Sequence, residues 1–179
     1  MRVVIGSDAA GMPLKELIKE TLLEDGHEVV DLSVEPAADF VDSATAVAAD
    51  LLENEGSQGL CFDAYGVGSY MAATRVKGMV AANISDERSA YMTREHNNAR
   101  IVCLGSAVVG SEVAKKIARE FLMADIMLAF LEASYEPTPE RDALVAKIDA
   151  VNKADAEAQA DPHFFDEFIE KWDRGEYHD

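Results

Sequence analysis

Short β-branched runs alternate with stretches of helical apolar spacing along the first 131 residues, and this rhythm most restricts what the chain can fold into. Val3–Ile5 closes on Gly6-Ser7-Asp8, after which Leu14, Leu17, Ile18, Thr21 and Leu22 recur at helical spacing. Gly26 lies where a helix C-terminus favours glycine, and His27–Leu32 returns as a strand. Phe40–Glu55 reads as a helix with Ala44, Val47, Ala48 and Leu51 on one face. Leu60–Phe62 and Met79–Ile84 are the next strands, flanking a short helix from about Tyr70 to Arg75. Asp86–Asn97 is an amphipathic helix, Ile101–Leu104 a strand, and Val113–Leu131 a long helix. Five strands separated by helices predict an α/β fold: a three-layer, doubly wound, Rossmann-like parallel sheet with a C-terminal helical extension. In such sheets, ligands bind at the carboxyl ends of the strands, here near Asp8, Asp63 and the residues after Ile84.

The pattern changes after Tyr135. Glu136-Pro137-Thr138-Pro139-Glu140 reads as a linker, with Thr138 an N-cap and Pro139 the first helical residue. An Ala- and Asp-rich helix follows over Asp142–Ala160, then a short one carrying Phe164, Phe165, Phe168, Ile169 and Trp172. Two parts are therefore expected: a main domain over 1–135 and a helical tail over 136–179. The aromatic cluster of the tail is expected to pack on the body or on a partner subunit.

Charge narrows the partners. With 34 acidic against 16 basic residues the chain carries −18, which argues against nucleic-acid backbones and anionic membranes. A small phosphorylated ligand needs only local donors and stays compatible. No apolar run reaches 18 residues and no signal-like segment opens the chain, so a soluble, cytoplasmic protein is expected. Cys61 and Cys103 lie in apolar strand-like runs and read as buried free thiols of a reducing compartment. No pair of histidines has metal-ligand spacing, so neither a metal nor another cofactor is expected.

Three segments could carry chemistry. In Gly59–Ser69 a short apolar strand ends in Asp63 and opens into Gly66-Val67-Gly68. Such a turn either simply connects strand to helix or aims backbone amides at an anion beside a carboxylate. Asp8 follows the first strand and suits either a helix N-cap or a ligand contact. His96 and Asn97 end a predicted helix, where they could serve as capping residues or as an imidazole and an amide for acid–base work.

Taken together, Gly6-Ser7-Asp8-Ala9-Ala10-Gly11, Asp63-Ala64-Tyr65-Gly66-Val67-Gly68 and Arg94-Glu95-His96-Asn97-Asn98-Ala99 with Leu104-Gly105 resemble the ribose-5-phosphate isomerase B family. That family includes the paired subunits of galactose-6-phosphate isomerase, and the likeness covers about residues 1–122. Phe40-Val41-Asp42, Ser85-Asp86-Glu87-Arg88-Ser89 and Met92-Thr93-Arg94 refine the likeness of the head to the A-type subunit. From about Met123, Tyr135-Glu136-Pro137-Thr138 and the ending Glu170–Asp179 look like a B-type tail.

The resemblance implies aldose–ketose isomerisation of galactose 6-phosphate and tagatose 6-phosphate through an enediolate, without a cofactor. His96 matches the ring-opening histidine and Asn97 the amide that holds a substrate oxygen. Asp63 stands where a base would be sought, and Asp8 matches the aspartate that binds sugar hydroxyls. Tyr65, Gly66, Gly68 and Ser69 fall in the expected oxyanion cradle, and Arg141 is the arginine nearest the family's phosphate-binding pair.

Three departures accompany the likeness. Catalytic members carry Cys at the position of Asp63 or Glu at that of Ser69; a histidine is replaced by Ala9; and the paired phosphate arginines after a Gly-Gly turn are absent. The family builds its site between subunits, so the expected assembly is a hetero-oligomer with a B-type isomerase subunit, or a homo-oligomer. The alternatives are a B-type ribose-5-phosphate isomerase homo-oligomer with Asp63 as base and a non-catalytic partner subunit. A flavodoxin-like binding module, whose strand order the pattern fits, is a further reading.

Overall fold

The computed structural model describes residues 1–124 together with 143, 146, 169–171 and 174. The chain divides into two compact units, Met1–Tyr135 and Glu136–Asp179. Apart from Ala143, Ala146 and 169–171, which are helical, the expected tail helices lie outside the described residues, as do the far end of the predicted helix to Leu131 and Arg141.

The first unit alternates strand and helix throughout: β1 (Arg2–Ser7), α1 (Met12–Glu24), β2 (Glu28–Asp31), α2 (Phe40–Glu53), β3 (Gln58–Asp63), α3 (Val67–Thr74), β4 (Ala81–Asn83), α4 (Glu87–Asn97), β5 (Ile101–Gly105) and α5 (Ser111–Met123). All strand pairs are parallel, in the order β2-β1-β3-β5-β4. The α/β, five-stranded, Rossmann-like expectation holds. The flavodoxin-like order does not: it would run 2-1-3-4-5, whereas here β5 is inserted between β3 and β4.

Right-handed crossovers dictate the layers. The chain moves one way along the sheet through α1 and α4, and the other way through α2 and α3. Accordingly α2 packs with α3, while α5 packs with both α4 and α1. A sheet covered on both faces needs strands that are apolar on both sides. Val3, Val4, Ile5, Leu60, Cys61, Phe62, Ile101, Val102, Cys103 and Leu104 are all fully buried. On α2, Ala44, Val47, Ala48 and Leu51 form the expected buried stripe. Cys61 and Cys103 face each other in register as free, buried thiols.

Capping sets several boundaries. Asp39 accepts from Val41 N and Asp42 N at the start of α2, and Asp86 accepts from Ser89 N at the start of α4. Gly26 ends α1 at φ +81°. Asn98 follows α4 at φ +52° as a left-handed cap, with Asn98 N bonded to Arg94 O and Ala99 N to Thr93 O.

Candidate active site

The turn after β3 is built around Asp63. Its side chain is buried, and its two carboxylate oxygens accept from three backbone amides: Tyr65 N at 2.7 Å, Ser69 N at 2.7 Å, and Gly66 N. The helix therefore starts at Val67, three residues before the expected Tyr70, because the carboxylate binds an amide of its first turn. Gly66 has φ +79°, a left-handed conformation that a side chain would strain. A Cβ there would also run into Asn83 Oδ1.

This arrangement corrects the expected cradle. The amides of Tyr65, Gly66 and Ser69 already serve Asp63 and do not face an incoming oxyanion. The first-turn amides of Val67 and Gly68 have no intrahelical partner by helix geometry, so they are the donors left at this end. Ser69 Oγ is buried and has no hydrogen-bond partner among the described residues.

Asp8 sits at the neighbouring lip, after β1. It is not the N-cap of α1, a position held by Gly11; its Oδ1 instead accepts from Gly11 N at 3.0 Å. Burial, followed by the charge of Asp63, pushes the Asp8 carboxyl above its ordinary value, although the Gly11 amide opposes this. Gly11 lies so close to β3 that a Cβ would collide with the Phe62 carbonyl. Ser106 Oγ, from the loop after β5, donates to Ala10 O at 2.8 Å. The loops after β1, β3 and β5 thus form one closely packed lip containing Asp8, Asp63, Tyr65, Gly66, Gly68 and Ser69. Tyr65, Val67, Tyr70 and Met71 leave an exposed apolar surface beside it.

Behind the lip lies a polar network that the sequence did not single out. Lys15 is fully buried on α1, and its Nζ bonds both Asp31 oxygens at 3.0 and 2.9 Å and Ser33 O at 2.5 Å. Ser33 Oγ in turn accepts from Ser7 N at 3.0 Å, one residue before Asp8. Burial alone would raise the Asp31 carboxyl, but Lys19 and Lys15 hold it below its ordinary value. The available signal was a lysine beside Leu14 on the apolar face of a helix, with a lone acid ending the facing strand.

His96 and Asn97 lie elsewhere. Helix α4 leaves β4 at the carboxyl end of the sheet and returns to the amino end, where Arg100 N bonds Val80 O and Gly59 N bonds Arg100 O. Gly59 pairs with Ile101 and Asp63 with Gly105. Four strand steps, about 13 Å, separate the two ends. Asn98 carries the left-handed cap, so the capping reading belongs to it, and Asn97 is left exposed. His96 is partly exposed, with Nε2 3.1 Å from Glu95 Oε2. One chain does not bring His96 and Asn97 to its own Asp8–Asp63 lip.

A family model described as Ribose/Galactose Isomerase matches residues 3–144. The chain belongs to that family. It is 54% identical over 124 residues to galactose-6-phosphate isomerase subunit LacA of Streptococcus mutans, covering 69% of this chain and 87% of that protein. LacA of Staphylococcus haemolyticus is 52% identical over 122 residues, covering 68% and 86%. Among solved structures, ribose-5-phosphate isomerase B of Clostridium thermocellum aligns with a TM-score of 0.71 at 31% identity, covering 86% of this chain and 99% of that one. The Mycoplasma genitalium enzyme with bound ribulose 5-phosphate aligns with 0.68 at 32% identity, covering 85% and 96%. Among the described residues no cluster suits a metal ion, and no helix is long and apolar enough to cross a membrane.

Proposed function

We propose that this chain is the A-type subunit of a galactose-6-phosphate isomerase, supplying His96 and Asn97 to a site whose sheet-end loops come from a B-type partner. The observation that carries the reading is that the His96–Asn97 end of α4 and the lip stand at opposite ends of the sheet, whose strands run about 13 Å between them. The engagement of Asp63 with three amides supports it as well, because a carboxylate holding its own loop is poorly placed to take a carbon-bound proton. The names of the relatives at 52–54% identity agree in substrate and subunit type.

In this reading, His96 moves a proton between the anomeric hydroxyl and the ring oxygen, opening the hexose to its aldehyde. A base on the partner then takes the proton from C2, the electrons pass to the carbonyl oxygen, and an enediolate forms. Reprotonation at C1 gives the ketose. The Asn97 amide donates to the oxygen on which charge accumulates, where a preorganised donor is worth several kcal/mol. The lip beside Asp8, with the Val67 and Gly68 amides, belongs to the complementary half of a second site. The exposed apolar residues beside it form part of the contact between subunits, and the enzyme works in the cytoplasm.

The test is an assay of ketose formation from galactose 6-phosphate, with ribose 5-phosphate in parallel. The chain alone should be silent on both, and a mixture with a B-type subunit should turn over the hexose. His96→Ala should lower the mixed activity by about 100-fold or more, the scale of a lost general acid–base group. Turnover by the isolated chain would favour the homo-oligomeric ribose-5-phosphate isomerase. Mixed activity within about threefold of wild type would remove the role of His96.

A further inference from the structure

At the amino end of the sheet, a cavity of about 360 Å³ opens among Glu55, Gly56, Ser57, Arg94, Asn98 and Arg100. Two arginines line it, in a chain with more than twice as many acidic as basic residues. Neither forms an ion pair among the described residues. Arg94 donates only through Nη1, to Asn98 Oδ1 at 2.7 Å and Ala99 O at 3.2 Å. Arg100 donates only through Nη2, to Leu51 O and to Asn54 O at 3.5 Å. All four acceptors are neutral, and the last two cap the carboxyl end of α2.

Helix capping accounts for one nitrogen of each guanidinium and no more. An arginine has five N–H donors, and its Nε–Nη edge is the one that grips an oxyanion in two-pronged fashion. Arg94 Nε is buried and has no hydrogen-bond partner among the described residues. A buried donor left unmet is costly, so its retention calls for a partner that arrives from outside. Burial, and then the charge of Arg100, hold the Arg94 guanidinium below its ordinary value. Two guanidiniums thus share one cavity wall, where an anion would meet both.

We propose that this cavity binds the phosphate group of a small molecule between Arg94 and Arg100. Two guanidiniums match a dianion in charge and in planar donor geometry. The volume exceeds what one phosphate group fills and leaves room for the remainder of a small phosphorylated compound. Glu55 stands at the exposed side of the cavity and limits affinity by like-charge repulsion. The site lies at the opposite end of the sheet from the Asp8–Asp63 lip and does not depend on the isomerase reading.

The test titrates inorganic phosphate into the full chain by calorimetry, at about pH 8 and constant ionic strength set with chloride. Saturable binding is expected. Arg100→Gln should weaken it about tenfold, the loss of one charge-assisted contact. Glu55→Gln should tighten it about threefold. Asp8→Asn, at the lip, should leave it unchanged, and ribose 5-phosphate but not ribose should displace the phosphate.

Absence of saturable binding overturns the proposal. So does wild-type affinity in Arg100→Gln, unchanged or weaker binding in Glu55→Gln, or loss of binding in Asp8→Asn. Should Arg100→Gln not fold, the Glu55→Gln arm decides. Isomerase activity of the mixed subunits is read separately, so failure here leaves that reading standing and the reverse holds as well.

Discussion

At the carboxyl end of the sheet, the Asp63 carboxylate is buried and accepts from three backbone amides, while Gly11 and Gly66 let the loops touch. At the amino end, Arg94 and Arg100 are partly buried cations whose acceptors among the described residues are all neutral, and Arg94 Nε has none there. Asp63 satisfies its charge from within and acts as scaffold for its loop. The amino-end corner holds a buried donor, Arg94 Nε, that no described residue meets. A charged residue at a loop is therefore no guide to chemistry until its hydrogen bonds have been counted. By that count, Asp63 belongs to architecture and the corner to ligand recognition.

The most direct way to break this contrast is to remove Asp63. Asp63→Ala leaves three amides without their acceptor, and at about 1–3 kcal/mol for each unmet group the loss should be about 4 kcal/mol, a large part of a domain's stability. Asp63→Asn keeps one acceptor oxygen and should recover part of it. Arg100→Gln gives its carbonyl acceptors back to accessible solvent and should cost under about 1 kcal/mol. Denaturant midpoints at constant m give all three values. If Asp63→Ala cost no more than Arg100→Gln, the division between scaffold and recognition would fail.

The sequence made the elements legible because parallel strands buried on both faces must be continuous apolar runs, and Val3–Ile5, Leu60–Phe62 and Ile101–Leu104 are that. The left-handed asparagine after α4 was legible as a type of residue, and the structure assigns it to Asn98. Strand order was not legible: nothing in the apolar pattern of Ile101–Leu104 says that it slides between β3 and β4. β4 is only Ala81–Asn83, shorter than the expected Met79–Ile84, because an edge strand pairs on one side alone and its register here is three residues long. At the candidate site, the residues were legible and their uses were not. An aspartate before a Gly-x-Gly turn looks the same whether it awaits a substrate or clasps its own amides. The distance between His96–Asn97 and the lip depends on the direction of α4, which no local motif encodes.

A second effect sharpens the scaffold side. Lys15 is wholly buried and bonds Asp31 and Ser33 O, and Ser33 holds Ser7 N beside Asp8. Removing one partner of a buried pair is costly, so Lys15→Met should lose about 3 kcal/mol. Lys15→Met with Asp31→Leu should recover much of it, because neither charge is then stranded, although Lys19 loses its own contact to Asp31. Thermal unfolding of the single and double variants measures the difference. If the double variant were less stable than the single one, the network would be worth more than the desolvation it overcomes.

The smallest effect tests whether the lip is satisfied throughout. Asp8 is its exception: burial and the neighbouring Asp63 charge raise its carboxyl above the ordinary value. A carboxyl whose value is higher in the folded state favours folding while protonated. That contribution is fully present below the unfolded value of about 3.9 and is lost as pH rises through the folded value. Asp8→Asn removes the charge and keeps an oxygen that can accept from Gly11 N. The variant should match wild type below about pH 3.9 and become the more stable of the two as pH rises towards neutrality. Melting temperatures recorded across that range give the sign directly. A variant less stable at neutral pH than at acid pH, relative to wild type, would mean that the Gly11 amide outweighs burial, and that Asp8, like Asp63, is held by the backbone for the sake of the loop.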